Sequence, residues 1–356
     1  MPENHVNYIK IPQQLVALLP ARIDRREEIP PLLERLKAGC GESVCGAAMA
    51  IFHGGAVKDG FLVEAAYPVS SPVERGEIRT RTLEPVPAVS MVHRGSHDSI
   101  RETIQKIHSH LSQHALTTSL IRREIYRVVN VSRPEENVIE VQVILHEWDR
   151  LLAEGTQEVL GAEARRLVMQ GIEALSPESS SVEYTAWIQG AMGRLDALTG
   201  DSEKKCLVVS HCAHRFPEER IAHLRHIFEN GKFDDILHEM YADDFWYEKP
   251  VRSGNVIHMR KNPYDPEGYA NAVSPAERRR AYCHCAFVRP FLEVIPSQLS
   301  PTFCYCGAGW YRQLWEGILQ APVKIEQVET LLKGDDQCRL TITLPLELTG
   351  KCSPEG

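Results

Sequence analysis

The sequence has no apolar run approaching the roughly 20 residues that cross a bilayer. Its first residues, MPENHVNYIK, have neither a basic start nor an apolar stretch before a small-residue cleavage site, so no secretory signal is expected. Positive charge is also short: 40 Lys and Arg against 48 Asp and Glu leave a net charge of -8. Such a surface offers no electrostatic footprint for a phosphate backbone. Membrane and nucleic acid are therefore not expected partners. There is no C-x-x-C knuckle and no catalytic motif of recognised geometry. What remains is a chain of 356 residues, 43% hydrophobic and 25% charged, a globular composition long enough for two domains. A cytosolic setting keeps thiols reduced, so the ten cysteines call for burial, metal binding or reactivity as explanation.

The first half contains a repeat. An extended apolar stretch, QQLVALLPARI, precedes a helical pattern with Ile29, Leu33 and Leu36 on one face; EPVPAVSMVHRG precedes a second with Ile100, Ile104 and Ile107. Two strands close each copy, AAMAIFHGG with FLVEAAYPV and RREIYRVVN with NVIEVQVIL. Aligning the copies sets Glu64 opposite Glu140 and Phe52 opposite Tyr126. Two such strand-helix-strand-strand units are expected to pair two antiparallel sheets about a pseudo-twofold axis, with a cleft between the halves.

FLVEAAYPV, VSMVHRGSHDSI and REIYRVV followed by NVIEVQV, in that order, resemble the GyrI-like small-molecule-binding domain, the effector-binding module of many AraC-type and MerR-type bacterial regulators. The resemblance covers about residues 6 to 146. It implies a cleft for apolar, often cationic compounds, with Glu64 at the family's strand glutamate and Glu124 and Tyr126 at its E-x-Y strand. A carboxylate among aromatic faces attracts a cation. Some relatives hydrolyse reactive compounds with a cleft glutamate, so a hydrolase is the alternative reading.

Residues 147 to 203 read as helices, and between Glu147 and Lys205 eleven acidic residues outnumber six basic ones. This is expected to be a helical connector between domain 1-146 and domain 204-356, not a DNA-reading element. The second domain reads as α+β: CLVVSHC as a strand, two helices, NVIHMRKNPYD as a strand, AYCHCAFV and PTFCYCGAGW, the helix YRQLWEGILQ, then a hairpin of VKIEQVETLL and QCRLTITLPL.

Cys283, Cys285, Cys304 and Cys306 form two C-x-C pairs separated by 18 residues. On an extended chain, thiols at i and i+2 share a side, so the pairs could supply the four ligands of a zinc ion or, less expectedly, an iron-sulfur cluster. Packing as small hydrophobes, or a redox or nucleophilic pair, are the other readings. Cys338 and Cys212 could join the site. The C-terminal segment with its cysteine-bearing turn resembles 4-vinyl-reductase-like domains, small-molecule modules of which some hold zinc; Thr330 stands where those members have a hairpin cysteine. The expectation is thus a cytosolic α+β protein binding a small organic, cationic or aromatic ligand through Glu64, Phe52, Glu124 and Tyr126, with a thiolate metal site behind.

Overall fold

A computed structural model of the chain describes residues 5-54, 61-114, 116-130, 132-176, 179-216, 218-231, 233-241, 248-285, 287-293 and 297-346. The chain divides into two compact units, Met1–Glu147 with Pro177–Ser181, and Trp148–Ser176 with Val182–Gly356.

The first unit holds β1 (Asn7–Ile11), β2 (Gln14–Ile23), α1 (Ile29–Cys40), β3 (Met49–His53), β4 (Phe61–Pro68), β5 (Arg79–Leu83), β6 (Val86–Arg94), α2 (Ile100–Gln113), β7 (Thr118–Val128) and β8 (Val138–Leu145). The repeat is visible as β2-α1-β3-β4 and β6-α2-β7-β8. Where two sheets were expected, there is one curled, eight-stranded antiparallel sheet in the order β1-β6-β8-β7-β3-β4-β2-β5. The two copies join through β3 and β7, and each outer strand crosses over: β1 pairs with β6 and β5 with β2.

Register supports the duplication. If Phe52 is equivalent to Tyr126, then Met49, Ala50 and Ile51 correspond to Arg123, Glu124 and Ile125. The observed pairs are Met49 with Ile125, Ala50 with Glu124 and Ile51 with Arg123, so exchanging the copies returns the same ladder. The pseudo-twofold axis passes through the Ala50 and Glu124 pair. Likewise Ile51 pairs with Glu64 as Ile125 pairs with Glu140.

Helix α1 starts on Ile29-Pro30-Pro31, where proline suits the first turn, and ends at Gly41 with φ 55°. Its buried face is Ile29, Leu33, Leu36 and Cys40; that of α2 is Ile100, Thr103, Ile107 and Leu111. Both pack on one side of the sheet, against Leu19, Phe52, Val63, Met91, Tyr126 and Val141 among others. The other side carries two smaller apolar clusters, one around Val16, Leu18, Met49, Ile51, Ala66, Leu83 and Ile125, the other of Ile11, Ala88 and Ile144.

The second unit contains α3 (Trp148–Leu160), α4 (Ala162–Val168), α5 (Ser181–Leu198), α6 (Ser202–Ser210), α7 (Glu218–Asn230), α8 (Phe233–Tyr241), β9 (Val251–Ser253), β10 (Val256–Arg260), α9 (Pro266–Asn271), α10 (Pro275–Tyr282), α11 (Tyr305–Leu319), β11 (Lys324–Glu329) and β12 (Arg339–Thr343). Its antiparallel sheet runs β11-β12-β10-β9, and the expected C-terminal hairpin is β11 with β12. One core lies between this sheet and the helices, with Trp315, Tyr311, Ile257 and Ile342 sealed inside.

Three expectations for this half are corrected. Residues 147-203 are not a free-standing connector: Trp148, Leu152, Trp187 and Met192 share a core with Tyr282, Cys283 and Phe303, and Trp148 stacks on Phe303 at 5.1 Å. CLVVSHC is not a strand but the body of α6, started by the Asp201 carboxylate accepting from the Glu203 and Lys204 backbone N–H groups. PTFCYCGAGW is not extended; it enters α11 through a short 3-10 turn, Pro301–Cys304. Among the described residues no helix is long and apolar enough to cross a membrane.

Candidate functional site

Strand β7 sets the geometry of the first unit. Its ladder with β8 is irregular between Thr118 and Arg122, where Leu120 has φ 69° and its carbonyl accepts the Gly54 N–H at 2.6 Å. From Arg122 to Tyr126 the strand alternates strictly, before a second irregularity between Tyr126 and Val128. Arg122, Glu124 and Tyr126 pair across with Val143, Val141 and Ile139 and share the helix-covered side; Arg123 and Ile125 pair with Gln142 and Glu140 and share the other.

On the helix-covered side, Glu124 is 0% exposed. One nitrogen of Arg26, from the turn ahead of α1, donates to both its oxygens at 2.9 and 2.7 Å. Arg122 Nε lies 3.2 Å from Oε1, an ion pair without the alignment of a hydrogen bond, and the Tyr126 hydroxyl donates at 3.4 Å. The same two guanidiniums lie over the Phe52 ring, 5.0 and 4.4 Å from its centroid. Burial, then the neighbouring Glu124 charge, pushes the Tyr126 hydroxyl far up, so it stays a neutral donor. Burial also lowers Arg122, an effect that Arg26 reinforces and Glu124 opposes.

Phe52, Glu124 and Tyr126 share the helix-covered side of the sheet, and Glu64 is not among them. Glu64 pairs with Ile51, so it points to the opposite side of the sheet from Phe52. There His53 Nε2 and Arg81 each lie 2.7 Å from one of its oxygens. Burial pushes its carboxyl up, but the His53 and Arg81 contacts outweigh this and hold it below the usual range. The equivalent Glu140 is bound by Arg127 at 2.7 Å and accepts from Gln142 at 2.7 Å.

Both expected cation-binding carboxylates thus already face cations of the chain itself. Arg26, Arg81, Arg122, Arg123 and His53 were not foreseen as site residues. The sequence signal for two of them was the adjacent pair in RREIY, since neighbours in a strand must face opposite sides.

In the second unit, Cys283 is buried and Cys285, Cys304, Cys306 and Cys338 pack against the same core, which also contains Cys212. The thiols act as neutral groups. Cys283 donates to the Cys285 carbonyl at 3.6 Å, Cys306 to the Cys212 carbonyl at 3.1 Å, Cys212 to the Trp148 carbonyl at 3.7 Å, while Thr330 donates to Cys304 sulfur at 3.5 Å. Burial pushes Cys304 up to about 12 and raises the others as well. Because Cys304 and Cys306 begin a helix, their side chains diverge instead of sharing a side. Among the described residues no three His, Cys, Asp or Glu side chains are placed to hold one metal ion. The thiols are placed as a packed core.

No protein-family model matches the sequence, and no curated protein sequence matches it. Among solved structures, the C-terminal domain of EcmrR is 17% identical with a TM-score of 0.36, over 40% of this chain and 96% of that one. A hydrolase encoded by lin2189 from Listeria innocua is 13% identical, TM-score 0.31, over 40% of this chain and 93% of that one. SAV2435 bound to tetraphenylphosphonium is 9% identical, TM-score 0.33, over 41% of this chain and 96% of that one.

Proposed function

We propose that the first unit is a receptor for a small organic molecule, bound at the central strand pair β3 and β7. The observation that carries this reading is the burial of charge at the middle of a sheet: Glu124, fully sealed, between two guanidiniums that also flank Phe52. Replacing such a cluster by apolar side chains would leave folding no worse. Charged and aromatic groups converging on a symmetry axis are the usual furniture of a ligand site. The resemblance to GyrI-like effector-binding domains supports the same reading.

Binding is favoured over hydrolysis. A general base near neutral pH needs a raised carboxyl, whereas Glu64 is held below its usual range and Glu124 is ion-paired twice. On the 4-vinyl-reductase-like resemblance, the second unit would be a further small-molecule module.

Thermal shift and calorimetry with a panel of aromatic probes test the receptor reading, tetraphenylphosphonium among them because SAV2435 holds it. A true ligand at a hundred times its Kd stabilises the folded chain by about 2.7 kcal/mol. The effect should weaken in Phe52→Leu. If no cationic, neutral or anionic probe binds, the receptor reading is wrong.

A further inference from the structure

The helix-free side of the first unit carries a guanidinium that no described residue holds. Arg123 is 6% exposed, lies beside the pseudo-twofold axis, and makes no hydrogen bond and no ion pair with any described residue. Its Nε is sealed from water and bonded to nothing. A buried charge in that state is costly, and nearly all buried charges in folded proteins are paired.

The groups around it do not supply the missing partner. The carboxylate within its field is Glu64, committed to Arg81 and His53 at 2.7 Å each. Gln142, its cross-strand neighbour on β8, donates its amide to Glu140, and Glu140 is bound by Arg127. Ile51, its neighbour on β3, is apolar. Arg81, Arg123 and Glu64 therefore leave one positive charge in excess. Met49, Ile51, Ala66 and Ile125 form a buried apolar cluster on the same side of the sheet.

We propose that this side binds a small organic monoanion, a carboxylate on an apolar body, with the carboxylate on the Arg123 guanidinium and the body against Met49, Ile51 and Ile125. The planar fork of a guanidinium matches a carboxylate bidentately. The apolar cluster beside Arg123 accounts for the body, and the single excess charge for the valence. This inference rests on reading the unit as a small-molecule receptor, but places the ligand on the side of the sheet opposite Phe52 and Glu124 and gives it a charge opposite in sign to the cationic ligands the sequence suggested.

Two probes with one aromatic body and opposite charge separate the possibilities: 2-naphthoate and 2-naphthylmethylammonium, titrated calorimetrically into the full chain. Naphthoate should bind at least tenfold more tightly than the ammonium. Arg123→Met should weaken naphthoate about tenfold to a hundredfold, the range for losing a charge-assisted hydrogen bond. Arg123→Lys should keep part of the affinity. Arg166→Gln, an exposed residue of α4 paired only with Glu163 in the same helix, should leave it unchanged.

The melting temperature gives a second readout. Because the charge is unpaired without ligand, Arg123→Met should melt no lower than the parent. A variant melting several degrees lower would show that Arg123 is a structural residue and overturn the proposal. So would naphthoate binding that ignores Arg123→Met, or a preference for the ammonium; in either case the receptor reading survives. Failure of both probes and of tetraphenylphosphonium to bind removes the proposal and that reading together.

Discussion

Replacing Glu124 by glutamine tests how the charges at the centre of the first unit are balanced. The substitution keeps the shape and removes the charge that Arg26 and Arg122 share. Breaking a buried ion pair from one side costs about 3–5 kcal/mol. The side chains of Arg26 and Arg122 remain 21% and 22% exposed, so water relieves part of the penalty and the lower end, about 3 kcal/mol, is expected. Part of that cost is repulsion between two cations that now stack on one Phe52 ring without a counter-ion. Adding Arg26→Ala should then recover about 1–2 kcal/mol, a coupling typical of residues in one network. Urea denaturation followed by far-UV circular dichroism is the suitable assay. Tryptophan emission would miss the effect, because all five tryptophans lie beyond residue 147. A loss under 1 kcal/mol, or no recovery in the double variant, would refute the picture of one carboxylate neutralising two guanidiniums.

Four further outcomes can be checked. Gly309→Ala would place a Cβ 2.5 Å from the Ser210 Cα, forcing α11 off α6; a loss of about 1–3 kcal/mol is expected, read by tryptophan fluorescence in urea. Glu64 has a depressed folded-state carboxyl, so its stabilising contribution is complete above the ordinary value of 4.5 and is lost as pH falls through the lower folded value. The stability gap between the parent and Glu64→Gln should accordingly close on acidification; a gap that widens contradicts the ion pairs. In a Cys352→Ser background, iodoacetamide at pH 8 should label the exposed Cys45 rapidly and the buried thiols only after unfolding; rapid labelling of Cys304 or Cys306 would restore the nucleophile reading. Elemental analysis for zinc and iron should give well under one equivalent per chain. A full equivalent lost in Cys304→Ser would show that the thiols regroup around an ion.

The duplication was legible because it is written in periodicity: paired isoleucine and leucine faces on α1 and α2, and alternating strands whose alignment of Phe52 with Tyr126 matches the observed register. The strands inside the two copies were legible too, but not β1 and β5, which lie outside the repeat, nor which side of the sheet each residue faces. Glu64 and Phe52 sit on different strands, and only the pairing of Glu64 with Ile51 shows that they point apart. In the second unit, CLVVSHC was misread because a short apolar run reads equally well as strand or buried helix, and α6 is buried by packing against α3 and α11. Asp201 was its capping signal. For the second C-x-C, Ser300-Pro301 announced a helical entry: the Ser300 hydroxyl accepts the Thr302 N–H and proline occupies the first position. That no described residue holds Arg123 could not be read at all, since this depends on every strand around it.

The exchanged outer strands bear on how this unit is assembled. The copy made first can gather β2, β3, β4 and β5 among themselves, using neighbours close along the chain. Strand β1, though synthesised before all of these, has its place beside β6. The earliest strand must wait for the later copy, so closure of the sheet is tied to a long-range step of the kind that slows folding. Neither half is a self-sufficient ancestor in its present form, because each has surrendered a border to the other.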